Sequence, residues 1–148
     1  MVAIGEGTRS WVESEEEEDL MSRLALILRI QGVVFAIYAL SFLVFPDFTM
    51  DTVFGWEGVD LLWPRLAMVP FVALGWIDWL VADKIESRLD LVWPLVAVPA
   101  LFIIVFVWSK AADAYQGTDA FWWTSIVITV VFTVAVGWFR LAAGKTAD

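Results

Sequence analysis

The chain has 148 residues, enough for one domain, but 61% of them are apolar, against about 45–50% in soluble proteins. Ten Trp and eleven Phe add more apolar surface than a soluble protein of this size can bury, which points to a membrane protein. A net charge of −9 without any basic patch excludes a nucleic-acid partner, and the lack of Cys and His excludes disulfides, thiolate chemistry, imidazole metal ligands and His-ligated haem, so no cofactor is expected.

Residues 1–22 form an acidic tail with Glu6, Glu13, Glu15 to Glu18 and Asp19. It lacks the basic start and apolar run of a signal peptide, so the first apolar segment is expected to stay in the membrane uncleaved. Ser14 and Glu17 fit a capping box, in which each side chain meets the other's free backbone donor, and Glu15 and Glu16 suit the positive end of a helix dipole. The tail is therefore expected to be partly helical and to lie in the cytoplasm.

A transmembrane domain is expected over 23–140, with spans at 24–45, 61–82, 91–109 and 120–139 and a short tail at 141–148. Each run approaches the roughly 20 helical residues that cross a hydrocarbon core of about 30 Å. Their unbroken apolar character, without alternation at every second residue, argues against a barrel, the only other spanning solution. The fold class is all-α, an integral membrane four-helix bundle.

Lys and Arg set its orientation. One side would hold Arg9, Arg23, Arg29, Lys84, Arg88, Arg140 and Lys145, the other only Arg65 and Lys110, which places both termini in the cytoplasm. Tryptophans agree: Trp56, Trp63, Trp108, Trp122 and Trp123 fall near the outer boundary, and Trp76, Trp79, Trp93 and Trp138 near the inner one. Pro64 and Pro94 occupy first turns, where a missing N–H matters little, whereas Pro70 and Pro99 lie deeper and should kink the second and third helices. The outer connection, 46–60, mixes Asp47, Asp51, Glu57 and Asp60 with Phe48, Val53, Phe54 and Trp56. Its spacing does not match a calcium loop and reads as a packed surface connection.

Ionisable groups inside a span are costly, and two stand out, Arg29 and Asp78. Both fall within one to two turns of the inner boundary on antiparallel neighbours, so the geometry allows a candidate intramembrane Arg29–Asp78 ion pair, with Arg140 as a competing partner for Asp78. In a structural role Arg29 snorkels and Asp78 reaches the inner interface, or the two pair as a clamp; in a functional one Asp78 is a proton or cation site. Gln31, Tyr38 and Ser41 are read as interhelical hydrogen-bonding groups, Tyr38 being the candidate to line a pocket. On the last helix Ser125, Thr129, Thr133 and Gly137 recur every four residues as a helix-packing stripe whose hydroxyls would bond across helices. No catalytic signature is present, neither a Ser-His-Asp arrangement nor a phosphate loop nor a dinucleotide fingerprint.

An Arg-x-x-Gly opening (Arg29 to Gly32), a Pro-Asp exit (Pro46, Asp47) and an Arg-led second helix (Arg65) together resemble small bacterial membrane proteins of the DoxX-like kind, over roughly Leu24 to Arg140. The resemblance implies a compact four-helix protein, in some members linked to respiratory or thiol-redox complexes. The function expected from the whole is that of a non-catalytic accessory or assembly subunit of a larger complex in the cell membrane. Its partners would be lipid and other membrane subunits or further copies of itself. Two alternatives stand beside it, a small transporter or proton-handling protein centred on Asp78, and a DoxX-like membrane-redox helper.

Overall fold

The computed structural model describes residues 6–55, 62–115 and 117–146. It is all-helical, with no strand among the described residues: α1 (Glu6–Val44), a π-helical segment (Phe48–Phe54), α2 (Leu62–Ala82), two 3-10 turns (Ile85–Ser87 and Leu89–Leu91), α3 (Val92–Ala111) and α4 (Asp119–Thr146). Three stretches, Glu15–Val44, Leu89–Ala111 and Asp119–Ala143, are long and apolar enough to cross a membrane; the apolar part of α2, Met68–Ala82, is shorter.

At about 1.5 Å per residue the 39 residues of α1 extend roughly 58 Å, nearly twice a hydrocarbon core. Helix is continuous from Glu6, so Ser14 lies inside it and is not its cap. Glutamates are good helix formers and no Pro interrupts the tail, which lets the helix run back past the expected box. An exposed ion pair between Arg23 and Asp19, one turn apart at 2.8 Å, marks this part as a solvated surface. From Met21 the helix turns amphipathic. Met21, Leu24, Ala25, Leu28, Gln31, Gly32, Ala39 and Phe42 are buried, while Leu26, Ile30, Val33, Ile37 and Leu40 are exposed. That three-and-four spacing is one stripe of a helix facing a core, with the opposite side left to lipid. At the other end α4 continues to Thr146, past the expected end at Phe139, and buries Ala143.

α1 packs along α2 and α4, and α3 packs along α4. The register of α1 against α2 is antiparallel: Arg29 meets Asp83, Gly32 meets Gly75, and Phe35 meets Phe71 edge-on at 5.6 Å. α2 and α3 stand further apart, joined by the Phe71–Phe102 ring contact at 5.0 Å. Their short connection is stapled by arginines. Arg88 donates to the Leu80 carbonyl at the end of α2, and Arg140 Nε donates to the Leu89 carbonyl at 2.8 Å while its guanidinium lies over Trp93. A cation at the carboxyl end of α2, as Arg88 is, is favoured by the helix dipole as well.

The connection between α1 and α2 is no plain loop. Pro46 is buried, and the π-helical segment folds Thr49 and Met50 onto the bundle end, where Met50 and Phe42 form a small core with Tyr38, Met68 and Phe121. Thr49 Oγ1 donates to the Ser41 carbonyl at 2.9 Å, and Gly55 ends the segment at φ 71°, a conformation that favours glycine. Residues 56–61 of this connection, Trp56 among them, lie outside the described residues, as do the side chains of Trp11 and Trp63. Of the other tryptophans, Trp76, Trp79, Trp93, Trp108, Trp123 and Trp138 point outward, and Trp122 donates its indole N–H to the Phe106 carbonyl at 3.0 Å.

The tightest approach is between α1 and α2. A Cβ on Gly32 would lie 2.8 Å from the Gly75 carbonyl oxygen and 2.8 Å from Trp79 Cδ1, and one on Gly75 would lie 2.8 Å from the Gly32 carbonyl oxygen. Backbones meet here because neither residue carries a side chain, which is how helices in lipid gain packing without a hydrophobic drive. Gly75→Val should therefore push the helices apart and cost about 1–3 kcal/mol or more of stability, read as a lowered unfolding midpoint in detergent. Gly137→Ala serves as the control, since a Cβ there meets Val96 at an ordinary 3.8 Å and should be tolerated.

Candidate functional site

Asp78 lies on the inward stripe of α2, where Phe71 and Leu74 are half-buried and Gly75, Asp78, Val81 and Ala82 are buried. Its residue exposure is 0%, and neither carboxyl oxygen has a hydrogen-bond partner. The candidate ion pair with Arg29 is not formed. Arg29 instead reaches Asp83, 3.0 Å away, at the surface. The reason is helix geometry: Arg29 sits among the exposed residues Leu26, Ile30 and Val33, whereas Asp78 faces the interior. Asp83, five residues further on and past the end of α2, is exposed and within reach. Arg140, the competing partner, is engaged by the Leu89 carbonyl and Trp93 instead. The core around Asp78's end of the bundle is apolar, built from Leu24, Leu28, Val81, Val92, Leu95 and Val136.

Among the described residues one other polar side chain is as deeply enclosed in the bundle interior. Gln31 is 1% exposed; its Nε2 donates to the Leu95 carbonyl on α3 at 3.4 Å, and its Oε1 has no partner. Three buried acceptor oxygens, two on Asp78 and one on Gln31, thus lack a donor. An ionised carboxylate without a counter-charge costs several kcal/mol in such surroundings, whereas a proton on it would supply one of the missing donors. The described residues contain no cluster of three or more His, Cys, Asp or Glu suited to a metal.

Further along α1, towards its C-terminal end, Tyr38 and Ser125 share a hydrogen bond between hydroxyls at 3.3 Å, linking α1 to α4. Tyr38 lines a cavity of 170 Å3 with Ser41, Phe42, Phe48, Thr49 and Phe121. The rest of the stripe on α4 behaves differently from expectation. Thr129 Oγ1 donates to the Ser125 carbonyl at 2.6 Å and Thr133 Oγ1 to the Thr129 carbonyl at 2.8 Å, both within α4. A threonine hydroxyl can reach the carbonyl one turn back in its own helix, and this local bond outcompetes one across helices. Only Ser125 of the three hydroxyls makes a side-chain bond to another helix, and Gly137 makes an ordinary contact rather than a close crossing.

Two functional-site features escape a reading by residue type. Gly75 is half of the close crossing, yet a lone glycine in an apolar run carries no signal unless its partner's face is known. Gln31 is legible as a hydrogen-bonding residue, but its free oxygen at the level of Asp78 depends on tertiary placement. No family model, curated protein or solved structure matches the chain.

If Asp78 were a structural clamp, its loss would weaken the fold. The geometry predicts the reverse. Asp78→Asn removes the charge, keeps the shape and adds an N–H donor among unpaired acceptors. It should raise stability by about 1–3 kcal/mol, the usual penalty of a buried unsatisfied group. Arg29→Ala breaks only a surface pair and should change stability by less than about 1 kcal/mol. Thermal or denaturant unfolding in detergent measures both, and a large loss with Asp78→Asn would restore the clamp.

Proposed function

We propose that the chain is a multi-pass protein of the cell membrane, a bundle of four spans with both termini in the cytoplasm, that handles protons through Asp78 without catalysis of its own. The reading rests on one observation, a carboxyl enclosed within the bundle with both oxygens unpaired. An intramembrane acid is expensive to keep. Neither structural use of it, a bond to Arg29 or a reach to the aqueous boundary, is taken up. The Tyr38–Ser125 pair, about 10 Å further along α1 from Gln31, and the Thr49–Ser41 bond beyond it supply hydrogen-bonding groups towards the opposite end.

Four spans are supported by the length of α2, whose 21 residues extend about 31 Å, close to a hydrocarbon thickness. Cytoplasmic termini are supported by the gathering of Arg29, Lys84, Arg88 and Arg140 at one end of the bundle, with Arg65 and Lys110 at the other.

A second reading, the accessory or assembly subunit, is favoured by an outward groove of 500 Å3 between α1 and α2, lined by Val33, Ile37, Leu40, Val72, Trp76 and Trp79. Apolar side chains there suit a neighbouring helix as well as lipid. A redox role of the DoxX-like kind would also fall here, because a chain without cysteine has to take its thiol chemistry from a partner.

The two readings separate in liposomes. Purified protein reconstituted alone should dissipate an imposed pH gradient, and Asp78→Asn should bring the rate down to that of empty vesicles while the protein stays folded. Wild-type protein that leaves the gradient intact would remove the proton reading and leave the accessory one.

A further inference from the structure

Pro99 is buried inside α3 and has no backbone N–H, so the carbonyl four residues before it, that of Leu95, loses its helical donor. Leu95 lies in the core, where water cannot replace that donor. Gln31 fills the gap: its Nε2 donates to the Leu95 oxygen in a long bond of 3.4 Å. Only the NH2 end of an amide can meet a carbonyl, so this contact fixes which way the amide lies, with Nε2 towards α3 and Oε1 turned away from it. The unpaired oxygen is thus a consequence of the proline.

Gln31 and Asp78 stand at one level of the bundle. Gly32, next to Gln31, touches both Gly75 and Trp79, the residues that bracket Asp78 by one turn on one side and one residue on the other. Side chains lean towards the N-terminus of their own helix, so on antiparallel neighbours these two lean towards each other. Both are turned to the interior.

Resting on the proton-handling reading, we infer that Gln31 is the positioning residue of the site: its Oε1 accepts the hydrogen bond of Asp78's O–H when Asp78 carries a proton, and Pro99 is what aims it there. The step is proton transfer alone. A proton joins one Asp78 oxygen on arrival and leaves it on departure, and no other bond changes. The charged groups around the site are committed elsewhere: Arg29 of α1 to Asp83, Arg88 of the connection to the Leu80 carbonyl, Arg140 of α4 to the Leu89 carbonyl. Lys84 lies exposed in the connection, and α3 has no charged residue between Trp93 and Ser109. A neutral amide oxygen suits such a place because it receives the acid's proton without becoming a second charge.

The experiment compares wild type, Asp78→Asn, Gln31→Leu and Pro99→Ala in liposomes by proton flux, by unfolding midpoint and by the infrared band of the protonated Asp78 carboxyl, identified by its loss in Asp78→Asn. Gln31→Leu should displace that band and lower the flux. Pro99→Ala returns a donor to the Leu95 carbonyl and releases Gln31; it should raise the unfolding midpoint yet lower the flux and displace the band. A merely structural role for Gln31 would move flux and stability together. An undisplaced band in both Gln31→Leu and Pro99→Ala overturns the inference whatever the flux does. Full flux in Asp78→Asn overturns the proton-handling reading instead.

Discussion

The backbone contact between Gly32 and Gly75 is the constraint on which the rest of the bundle depends. Lipid gives helices no hydrophobic reason to associate, so α1 and α2 are held by close packing, and closeness requires two residues without side chains facing each other. That approach seals the interior beside it. With the helices this near, Trp79 closes one edge of the crossing and Asp78, one position earlier, is left with no way to the surface. A looser crossing would let water or Arg29 reach the carboxyl, and the site would become an ordinary ion pair.

Polar groups in this bundle are placed by backbone shortages as much as by side-chain preference. Pro99 leaves the Leu95 carbonyl open and Gln31 answers it. The Leu80 carbonyl near the end of α2 takes Arg88, while Arg140 joins the Val92 N–H on the Leu89 carbonyl. Threonines on α4 satisfy themselves on their own helix. Arg29, Arg88 and Arg140 thereby each acquire a partner other than Asp78. The carboxyl's isolation is a collective result of these choices, and it costs free energy that a chain selected only for stability would have no reason to accept.

Much of this was legible in the residues. Apolar runs of bilayer length and outward tryptophans require only composition and spacing, and among the described residues three apolar helices do reach spanning length. Boundaries were less legible, since a helix of glutamates runs on without a core to stop it, and α4 ends only at Thr146. Asp78 was recognisable as an outlier, but its partner was not. Sequence distance along two helices gives depth and leaves rotation open, and rotation is what separates inward Asp78 from outward Arg29. The stripe Phe71, Leu74, Gly75, Asp78, Ala82 does carry that rotation, once Gly75 is seen as a contact rather than a gap. The connection between α1 and α2 resisted because a π-helical fold over Met50 and Phe42 follows from tertiary packing, with no local pattern to announce it.

The native chain has no cysteine, which makes enclosure of Asp78 directly measurable. Single substitutions Asp78→Cys and Asp83→Cys, each in membranes, can be exposed to a water-soluble maleimide before and after unfolding. The thiol at position 83 should react at once, and the thiol at position 78 only after the bundle is opened. Equal labelling of both in the folded protein would mean that position 78 opens to water, and the account of an enclosed, unpaired carboxyl would be wrong.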